Sequence, residues 1–202
     1  MTRDAITVRP ILEGHGCVID GFLDRDACAA WVARAEALGF DEAPISTAEG
    51  EVRVEGVRNN DRAMVDDPGA AEALWGRLEP MLPRALRAIP MGGRWWRAAG
   101  LNERLRFYRY RPGQRFRWHA DGAFHRNAEE RSFFTVMIYL SAVARGGETR
   151  FHGGASVRPE PGRALLFWHP LTHEGAAVEA GRKDVLRTDL LFRAAEPLRP
   201  AT

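Results

Sequence analysis

Three side chains in the second half of the chain have the types and spacing to hold a metal ion. His119 and Asp121 are two residues apart at the end of Gln114–His119, a run typical of a β-strand, and residues at that spacing on a strand point to the same side. His173, 54 residues after His119, follows another strand-like run and can supply a third ligand. Two histidines and one carboxylate leave coordination positions open, as in the facial triad of non-haem Fe(II) sites.

Lys183 is a second residue with a chemical reason to lie near this group. The His-x-Asp fragment alone occurs by chance in many proteins, so it needs support from elsewhere. Lys183 lies ten residues after His173 and is the single lysine among 29 basic residues, the others being arginine. A buried ammonium is costly unless it is paired, and lysine is a compact point charge on a thin stem. We therefore expect Lys183 to bind an anion beside the metal; the alternative is a surface lysine without a role.

Short strands and two helices are predicted to position these residues. The second half contains six β-type runs separated by Gly and Pro turns: Leu105–Tyr110, Gln114–His119, Ser132–Leu140, Glu148–Phe151, Arg163–Trp168 and Val185–Phe192. The first half predicts a strand at Cys17–Leu23, a helix at Asp26–Leu38 and a helix that begins at Asp67-Pro68 and is broken by later prolines. Many short strands at this spacing indicate a sandwich or barrel, with the two helices packed on it in one domain.

Six short motifs follow one another between about Arg106 and Arg193. In chain order they are Tyr-Arg-Tyr-Arg-Pro-Gly-Gln (108–114), His-Ala-Asp-Gly (119–122), Phe-Thr-Val-Met-Ile-Tyr-Leu-Ser (134–141), Gly-Gly-Glu-Thr-Arg-Phe (146–151), Pro-Gly-Arg-Ala-Leu-Leu-Phe (161–167) and His-Glu-Gly followed by Gly-Arg-Lys (173–183). Together they resemble the prolyl 4-hydroxylase-like branch of the 2-oxoglutarate/Fe(II)-dependent oxygenases.

The resemblance implies a fold and a domain organisation. The fold would be mainly β with packed helices, of the α+β class, with a double-stranded β-helix (jelly-roll) core and N-terminal helices on one sheet. We expect residues 1–202 to form a single oxygenase domain, with a helical N-terminal part at about 1–93 and the jelly-roll core at about 94–195.

The resemblance also implies the cofactors Fe(II), 2-oxoglutarate as co-substrate and O2, with 2-oxoglutarate decarboxylated to succinate. His119, Asp121 and His173 would ligate the iron, and no further catalytic residue is implied. His169 lies four residues before His173 and is the alternative ligand. We favour His173 because the family's spacing to Lys183 counts from it.

Four residues are expected in the co-substrate pocket. Lys183 matches the family residue that binds the distal carboxylate of 2-oxoglutarate. Tyr110 and Thr135 match a tyrosine and a threonine that line the same pocket, unless they only pack within their strands. Arg187, four residues after Lys183 on the same side of the strand, could share the co-substrate or hold a carboxylate of the substrate.

The substrate itself is less well determined by the sequence. Polar or aromatic residues that could line the mouth of the site are Arg58, Asn60, Arg62, Trp96, Asn102 and Arg106. Solvated arginines and a core position for Trp96 are the alternatives. The arginines favour a carboxylate-bearing substrate. The link from Phe167 to His173 is shorter than in the collagen-type and plant cell-wall enzymes, which puts a collagen-like peptide in doubt.

These residues predict a hydroxylase of an amino acid, a peptidyl proline or a small carboxylate-bearing metabolite. An oxidative demethylase of nucleic acid should have a strongly basic face, which the net charge of +2 opposes, so we expect no nucleic-acid partner. A non-catalytic metal-binding module and a cupin-type oxygenase without co-substrate would not need Lys183. No apolar run approaches the roughly 20 residues of a membrane span, and the first 11 residues lack an apolar signal core. We therefore expect a cytoplasmic protein without a membrane partner; the sequence does not predict its oligomeric state.

Overall fold

Three helices are present in the part of the chain that the structure, a computed structural model, describes, namely residues 5–47, 50–52, 54 and 56–197. They are α1 (Arg25–Leu38), α2 (Pro68–Leu78) and α3 (Arg84–Arg87). Side chains cap the two longer helices: Asp24 accepts a hydrogen bond from the amide of Ala27, and Asp67 accepts one from the amide of Ala70. No helix in these residues has both the length and the apolar character needed to cross a lipid bilayer.

A large sheet of 11 strands in the described residues forms the centre of the molecule. Its main path has the order β1-β2-β16-β12-β19-β9-β6-β3, and β7, β8 and β11 pair beside it. The strands are β1 (Thr7–Ile11), β2 (Gly16–Asp20), β3 (Asp41–Glu42), β6 (Asp61–Asp66), β7 (Ala88–Met91), β8 (Arg94–Leu101), β9 (Arg104–Tyr110), β11 (His125–Asn127), β12 (Glu130–Tyr139), β16 (Ala164–Trp168) and β19 (Lys183–Pro197).

Smaller sheets complete the architecture. One has the order β10-β17-β14-β15, and the pairs β13-β18 and β4-β5 are separate. Their strands are β4 (Ile45–Thr47), β5 (Gly50–Val52), β10 (Phe116–His119), β13 (Val143–Gly146), β14 (Thr149–Phe151), β15 (Ser156–Val157), β17 (His173–Gly175) and β18 (Val178–Gly181). Phe151 and Val157 from the four-stranded sheet share a buried cluster with Phe167 and Val185 of the large sheet. Two sheets packed in this way are consistent with the expected jelly roll.

Apolar and charged residues alternate along the central strand β19, so that the two faces of the large sheet differ there. Leu186, Leu190 and Phe192 belong to the cluster that also contains Leu74 and Leu78 of α2. The alternate residues Lys183, Arg187 and Asp189 line a cavity between the sheets. This alternation follows from the two-residue period of a strand, and it separates a helix-covered face from a face that carries charge.

The first 93 residues contain more strand than the sequence indicated. Besides the helices, β1, β2, β3, β6 and β7 from this part join the large sheet, so "helical" describes it incompletely. β1 shows the reason: four of its five residues are exposed, so it has no buried face to produce an alternating pattern. Its backbone pairing with β2 holds it in place.

Candidate metal centre

The three expected ligands lie together at one end of the four-stranded sheet. His119 is the last residue of β10, His173 is the first residue of β17, and the two are directly paired across these antiparallel strands. Asp121 follows β10, with its Oδ1 3.8 Å from His119 Nε2 and its Oδ2 3.8 Å from His173 Nε2. One ligand atom from each residue lies within 4.8 Å of the other two, which is close enough for one ion to bridge them.

Backbone carbonyls fix which nitrogen of each imidazole faces the centre. His119 Nδ1 lies 2.7 Å from the carbonyl oxygen of Arg117, and His173 Nδ1 lies 2.9 Å from that of Leu171. A carbonyl can only accept, so each Nδ1 carries the proton and each Nε2 presents a lone pair. This outer hydrogen bond is the usual device for orienting a histidine ligand.

The charges of the three groups also suit a divalent cation. Burial lowers the pKa of His119 to about 4, helped by the neighbouring His173, and burial lowers the pKa of His173 as well. Burial alone would raise the pKa of Asp121, but Arg187 and the two histidines hold that pKa well below its usual range. Two neutral imidazoles and an ionised carboxylate are the donor set that non-haem Fe(II) sites use, so these residues fit the implied metal.

Residues behind Asp121 hold it in place. The Thr135 hydroxyl donates to Asp121 Oδ2 at 2.5 Å, and Arg187 Nη2 lies 3.3 Å from the same oxygen. The Thr135 hydroxyl also lies 3.0 Å from His169 Nδ1, while His169 Nε2 lies 2.9 Å from the Ser132 hydroxyl. Both ring nitrogens of His169 are therefore occupied, and this histidine supports the centre without belonging to the ligand cluster.

Lys183 lies across the cavity from the ligands, at the start of β19. It is fully buried, with Nζ 5.1 Å from the ring centroid of Tyr110 and 5.6 Å from that of Tyr139. Burial lowers its pKa to about 7, although Glu148 acts in the opposite direction. No carboxylate among the described residues lies within 4.0 Å of this ammonium. An incoming anion would give the ammonium the partner that a buried charge requires.

Two further residues near Lys183 were missed by the sequence interpretation. Tyr139 donates or accepts a 2.7 Å hydrogen bond with the Thr149 hydroxyl, and Thr149 lines the same cavity as Lys183. The sequence held a signal for Tyr139, since it lies four residues after Thr135 and so on the same side of β12. Thr149 comes from a different sheet, and no spacing connects it with Lys183.

The cavity that contains these groups has a volume of about 710 Å³, within the usual range for small-molecule sites. Its lining includes all three ligands together with Lys183 and Tyr110. Arg58, Arg62, Arg106 and Arg187, which the sequence offered as candidate substrate or co-substrate residues, also line it. Thr135 is not among the lining residues, and its hydroxyl acts on the site through Asp121 and Arg187.

Three of the candidate substrate residues lie outside this cavity. Trp96 is buried against the ring of Phe133 at 5.4 Å, within the cluster that the helices cover, so its placement at the mouth is corrected. Asn60 Oδ1 accepts a 2.8 Å hydrogen bond from Arg58 Nε, and Asn102 Nδ2 lies 3.3 Å from Asp189 Oδ2. Both asparagines therefore form hydrogen bonds with residues that line the cavity, but they do not line it themselves.

Known proteins match the part of the chain that carries this site. Residues 105–188 match the family described as 2OG-Fe(II) oxygenase superfamily. A probable prolyl 4-hydroxylase 11 from Arabidopsis thaliana is 46% identical over 74 residues, which are 33% of this chain and 25% of the relative. The match therefore spans a quarter of that relative's length.

Solved structures share the overall fold. A viral collagen prolyl hydroxylase from Paramecium Bursaria Chlorella virus-1 superimposes with a TM-score of 0.61 at 21% identity, covering 89% of this chain and 96% of that one. A prolyl-4-hydroxylase from Pseudomonas putida gives a TM-score of 0.59 at 24% identity, covering 90% and 94%. At these identities the likeness concerns the fold.

Proposed function

We propose that this chain is a prolyl 4-hydroxylase-like 2-oxoglutarate/Fe(II)-dependent oxygenase, as its matches to that superfamily support, and that it hydroxylates an amino acid, a peptidyl proline or a small carboxylate-bearing metabolite. The observation that carries this proposal is the arrangement of one cavity. His119, Asp121 and His173 form an open-sided donor set on one wall. Lys183 lies buried on the opposite wall, and no described carboxylate pairs with its ammonium group.

The balanced reaction is R–H + O2 + 2-oxoglutarate → R–OH + succinate + CO2. When bound, Fe(II) with 2-oxoglutarate and O2 supplies the oxidising power for the C–H bond, and this chemistry belongs to the cofactors. Two electrons come from the keto acid, which loses CO2, and two come from the substrate carbon. One atom of O2 goes to the hydroxylated product and the other to succinate.

The chain's own residues bind and orient the reactants. The two histidines and Asp121 would hold the metal on one side only, which leaves room for the keto acid and O2. Lys183 would pair with the far carboxylate of 2-oxoglutarate, with Tyr110 beside it. Arg187 and Thr135 keep Asp121 ionised and aimed at the centre, so a ligand charge is available without a proton being lost when metal binds.

Two observations support the proposed substrate classes: the similarity to prolyl hydroxylases and the size of the cavity. The viral relative is named as a collagen prolyl hydroxylase, and a prolyl substrate for this chain is supported by family membership alone. The cavity has room for a small molecule beside 2-oxoglutarate, which supports the amino acid and metabolite alternatives.

Anaerobic addition of Fe(II) and 2-oxoglutarate to the purified protein tests the proposal. We expect the weak visible charge-transfer band of a chelated 2-oxo acid, which His119→Ala should abolish and Lys183→Ala should weaken. Admission of O2 with a substrate should then give succinate in proportion to hydroxylated product. A protein that binds Fe(II) but gives no band would refute the assignment of 2-oxoglutarate.

A further inference from the structure

One wall of the cavity carries a row of arginines beyond the co-substrate end. Strands β6, β9 and β19 lie side by side there, with Tyr110 opposite Lys183 and Arg106 opposite Arg187. Lys183 and Arg187 are four residues apart on one strand, or about 13 Å. The wall therefore has a lysine at one end and arginines at the other, with the metal ligands facing it from the smaller sheet.

The lining of the cavity has a large excess of positive charge. Six of its side chains are cationic and two are carboxylates: Arg58, Arg62, Arg104, Arg106, Lys183 and Arg187 against Asp121 and Asp189. Bound Fe(II) and the 2-oxoglutarate dianion would cancel each other and leave this excess unchanged. The cavity can therefore accept a further anion without its lining acquiring a net negative charge.

Some of these cations are already neutralised within the protein. Arg104 makes a two-point ion pair with Asp66, at 2.9 Å for each nitrogen. Arg187 lies 3.3 Å from Asp121 and 3.1 Å from Asp189 Oδ1, although the second contact lacks hydrogen-bond alignment. Lys183 is reserved for 2-oxoglutarate under the proposed function. Two other arginines, Arg106 and Arg58, have fewer partners: Arg106 shares its carboxylate with Arg187, and Arg58 has a nitrogen without a described partner.

Arg106 shares its only ion-pair partner in the described residues. Its Nη1 lies 3.4 Å from Asp189 Oδ2, which Asn102 also approaches at 3.3 Å. Because Asp189 also faces Arg187, one carboxylate stands between two guanidinium groups. The side chain of Arg106 is 19% exposed, so it retains access to a ligand in the cavity.

Arg58 is held in a fixed position and has a spare donor. Its guanidinium lies between two rings, 4.4 Å from the centroid of Tyr108 and 4.5 Å from that of Phe116. Asn60 accepts from its Nε, while its Nη2 is buried without a partner among the described residues. An unsatisfied buried donor of this kind costs about 1–3 kcal/mol, and the guanidinium, which lines the cavity, adds its positive charge to the field there.

Tyr108, between these arginines, responds to their combined field. Burial would raise the pKa of its phenol, but Arg58, Arg187 and Arg106 together lower the pKa below its usual value. Three guanidinium groups that favour negative charge on one buried phenol would favour it on a bound ligand as well. Guanidinium groups also bind carboxylates in a geometry that lysine cannot match.

We infer that the substrate is a small molecule with a carboxylate group, held against Arg106 and Arg58 in the arginine-lined part of the cavity. This inference rests on the proposed function and narrows its substrate class. Arg106 lies directly across the strand pair from Arg187, a Cα separation of about 5 Å, and Arg187 contacts Asp121. The oxidised carbon is therefore only a few bonds from the carboxylate, which favours a free amino acid or similar acid over an internal residue of a peptide.

Matched acids and amides test the inference without turnover. The protein is loaded with Mn(II) and saturating 2-oxoglutarate, and calorimetry measures the binding of N-acetyl-L-proline, N-acetyl-L-leucine and benzoate, each beside its amide. We expect at least one acid to bind at least tenfold tighter than its amide. Arg106→Gln and Arg58→Gln should each remove most of this preference, whereas Arg158→Gln, which removes an exposed arginine away from the cavity, should not.

The outcomes separate this inference from the proposed function. The anaerobic charge-transfer band with Fe(II), measured on every variant, reports whether the metal and 2-oxoglutarate sites are intact. A band in the wild type together with equal binding of acids and amides would overturn the carboxylate site alone. So would failure of every acid to bind below 10 mM, or tighter binding of a neutral prolyl peptide that is insensitive to Arg106→Gln. Absence of the band would overturn the proposed function itself.

Discussion

Replacing Lys183 with methionine should stabilise the protein without ligands and weaken its binding of 2-oxoglutarate. Burial lowers the pKa of this ammonium from its usual 10.5 to about 7. At 1.36 kcal/mol for each pKa unit, that difference corresponds to a folding penalty of about 5 kcal/mol when the group is charged. Methionine has a similar length and no charge, so the variant avoids the penalty while filling the same space.

The destabilisation caused by the buried Lys183 depends on pH, because its pKa is lower in the folded than in the unfolded chain. The lysine keeps a pKa near 10.5 in the unfolded chain, so unfolding takes up a proton between about pH 7 and pH 10.5. The penalty is therefore small above pH 10.5, grows as the pH falls and is complete below about pH 7. The advantage of Lys183→Met should be about 2–4 kcal/mol at pH 6, allowing for relaxation around the charge, and should nearly vanish at pH 10.5.

The same substitution should have the opposite effect on the complex. A charge-assisted hydrogen bond contributes about 1.5–3 kcal/mol, and an unpaired ligand carboxylate in the cavity adds to the loss. We expect the dissociation constant of 2-oxoglutarate to rise about a hundredfold or more. Binding should also raise the pKa of Lys183 in the wild type, since the bound carboxylate favours the charged form.

Urea unfolding at pH 6 and pH 10.5 and anaerobic titration with 2-oxoglutarate measure the two effects. The single lysine of the chain allows a more direct assay, because ¹³C labelling at lysine Cε gives one NMR signal whose titration reports Lys183. A midpoint near 7 without ligand, moving upward with Fe(II) and 2-oxoglutarate, is expected. A midpoint near 10.5 in the free protein, or a Lys183→Met variant that is no more stable at pH 6, would refute the reasoning.

Three other substitutions test the site and the fold that carries it. Thr135→Val removes the hydroxyl between Asp121 and His169 and should weaken Mn(II) binding about 10- to 100-fold; calorimetry showing unchanged affinity would contradict this role. Arg109→Gln removes one of the two arginines that pair with the buried Asp184, Arg182 being the other, and should cost about 1.5–3 kcal/mol in urea unfolding, whereas Arg97→Gln, at an exposed ion pair, should cost less than about 1 kcal/mol. Gly162→Ala puts a Cβ 1.9 Å from the carbonyl oxygen of Leu23 at a φ of +81° and should lower the unfolding free energy by at least about 3 kcal/mol. The matched Gly154→Ala, at a similar φ but in open space, should cost about 1–2 kcal/mol; equal losses would exclude the backbone contact as the cause.

The metal ligands could be predicted because their placement depends on short spacing and chemical type. Alternation on a strand brings His119 and Asp121 to one side. Residue type and position pointed to His173 and the single lysine pointed to Lys183, and the resemblance favoured His173 over His169. The direct pairing of His119 with His173 could not be predicted, since register across 54 residues depends on how the whole sheet closes. The same limit explains why Thr149 was missed.

Two predictions that differ from the structure concern Trp96 and Thr135, whose side chains have other neighbours than the sequence indicated. Trp96 lies close in sequence to residues that reach the cavity, but β8 pairs with the far half of β19, and its indole packs on the helix side with Phe133. Thr135 has the expected type and direction, and its hydroxyl is used by Asp121. In both cases the local sequence pattern predicted the strand. The neighbours of the side chain depend on contacts between distant segments, which the local pattern does not contain.

The use of lysine at position 183, in a chain that otherwise uses arginine, follows from the space around it. Tyr110 and Tyr139 flank the ammonium from two sides, and a Cβ on Gly147 would lie 3.5 Å from the Lys183 Cδ. A planar guanidinium has a larger head and needs room for five donors, which this end of the cavity does not offer. The other end is wide enough for arginines from three strands. The two ends therefore differ in shape as well as in position, and this difference can direct 2-oxoglutarate to Lys183 and leave the arginines to a second acid.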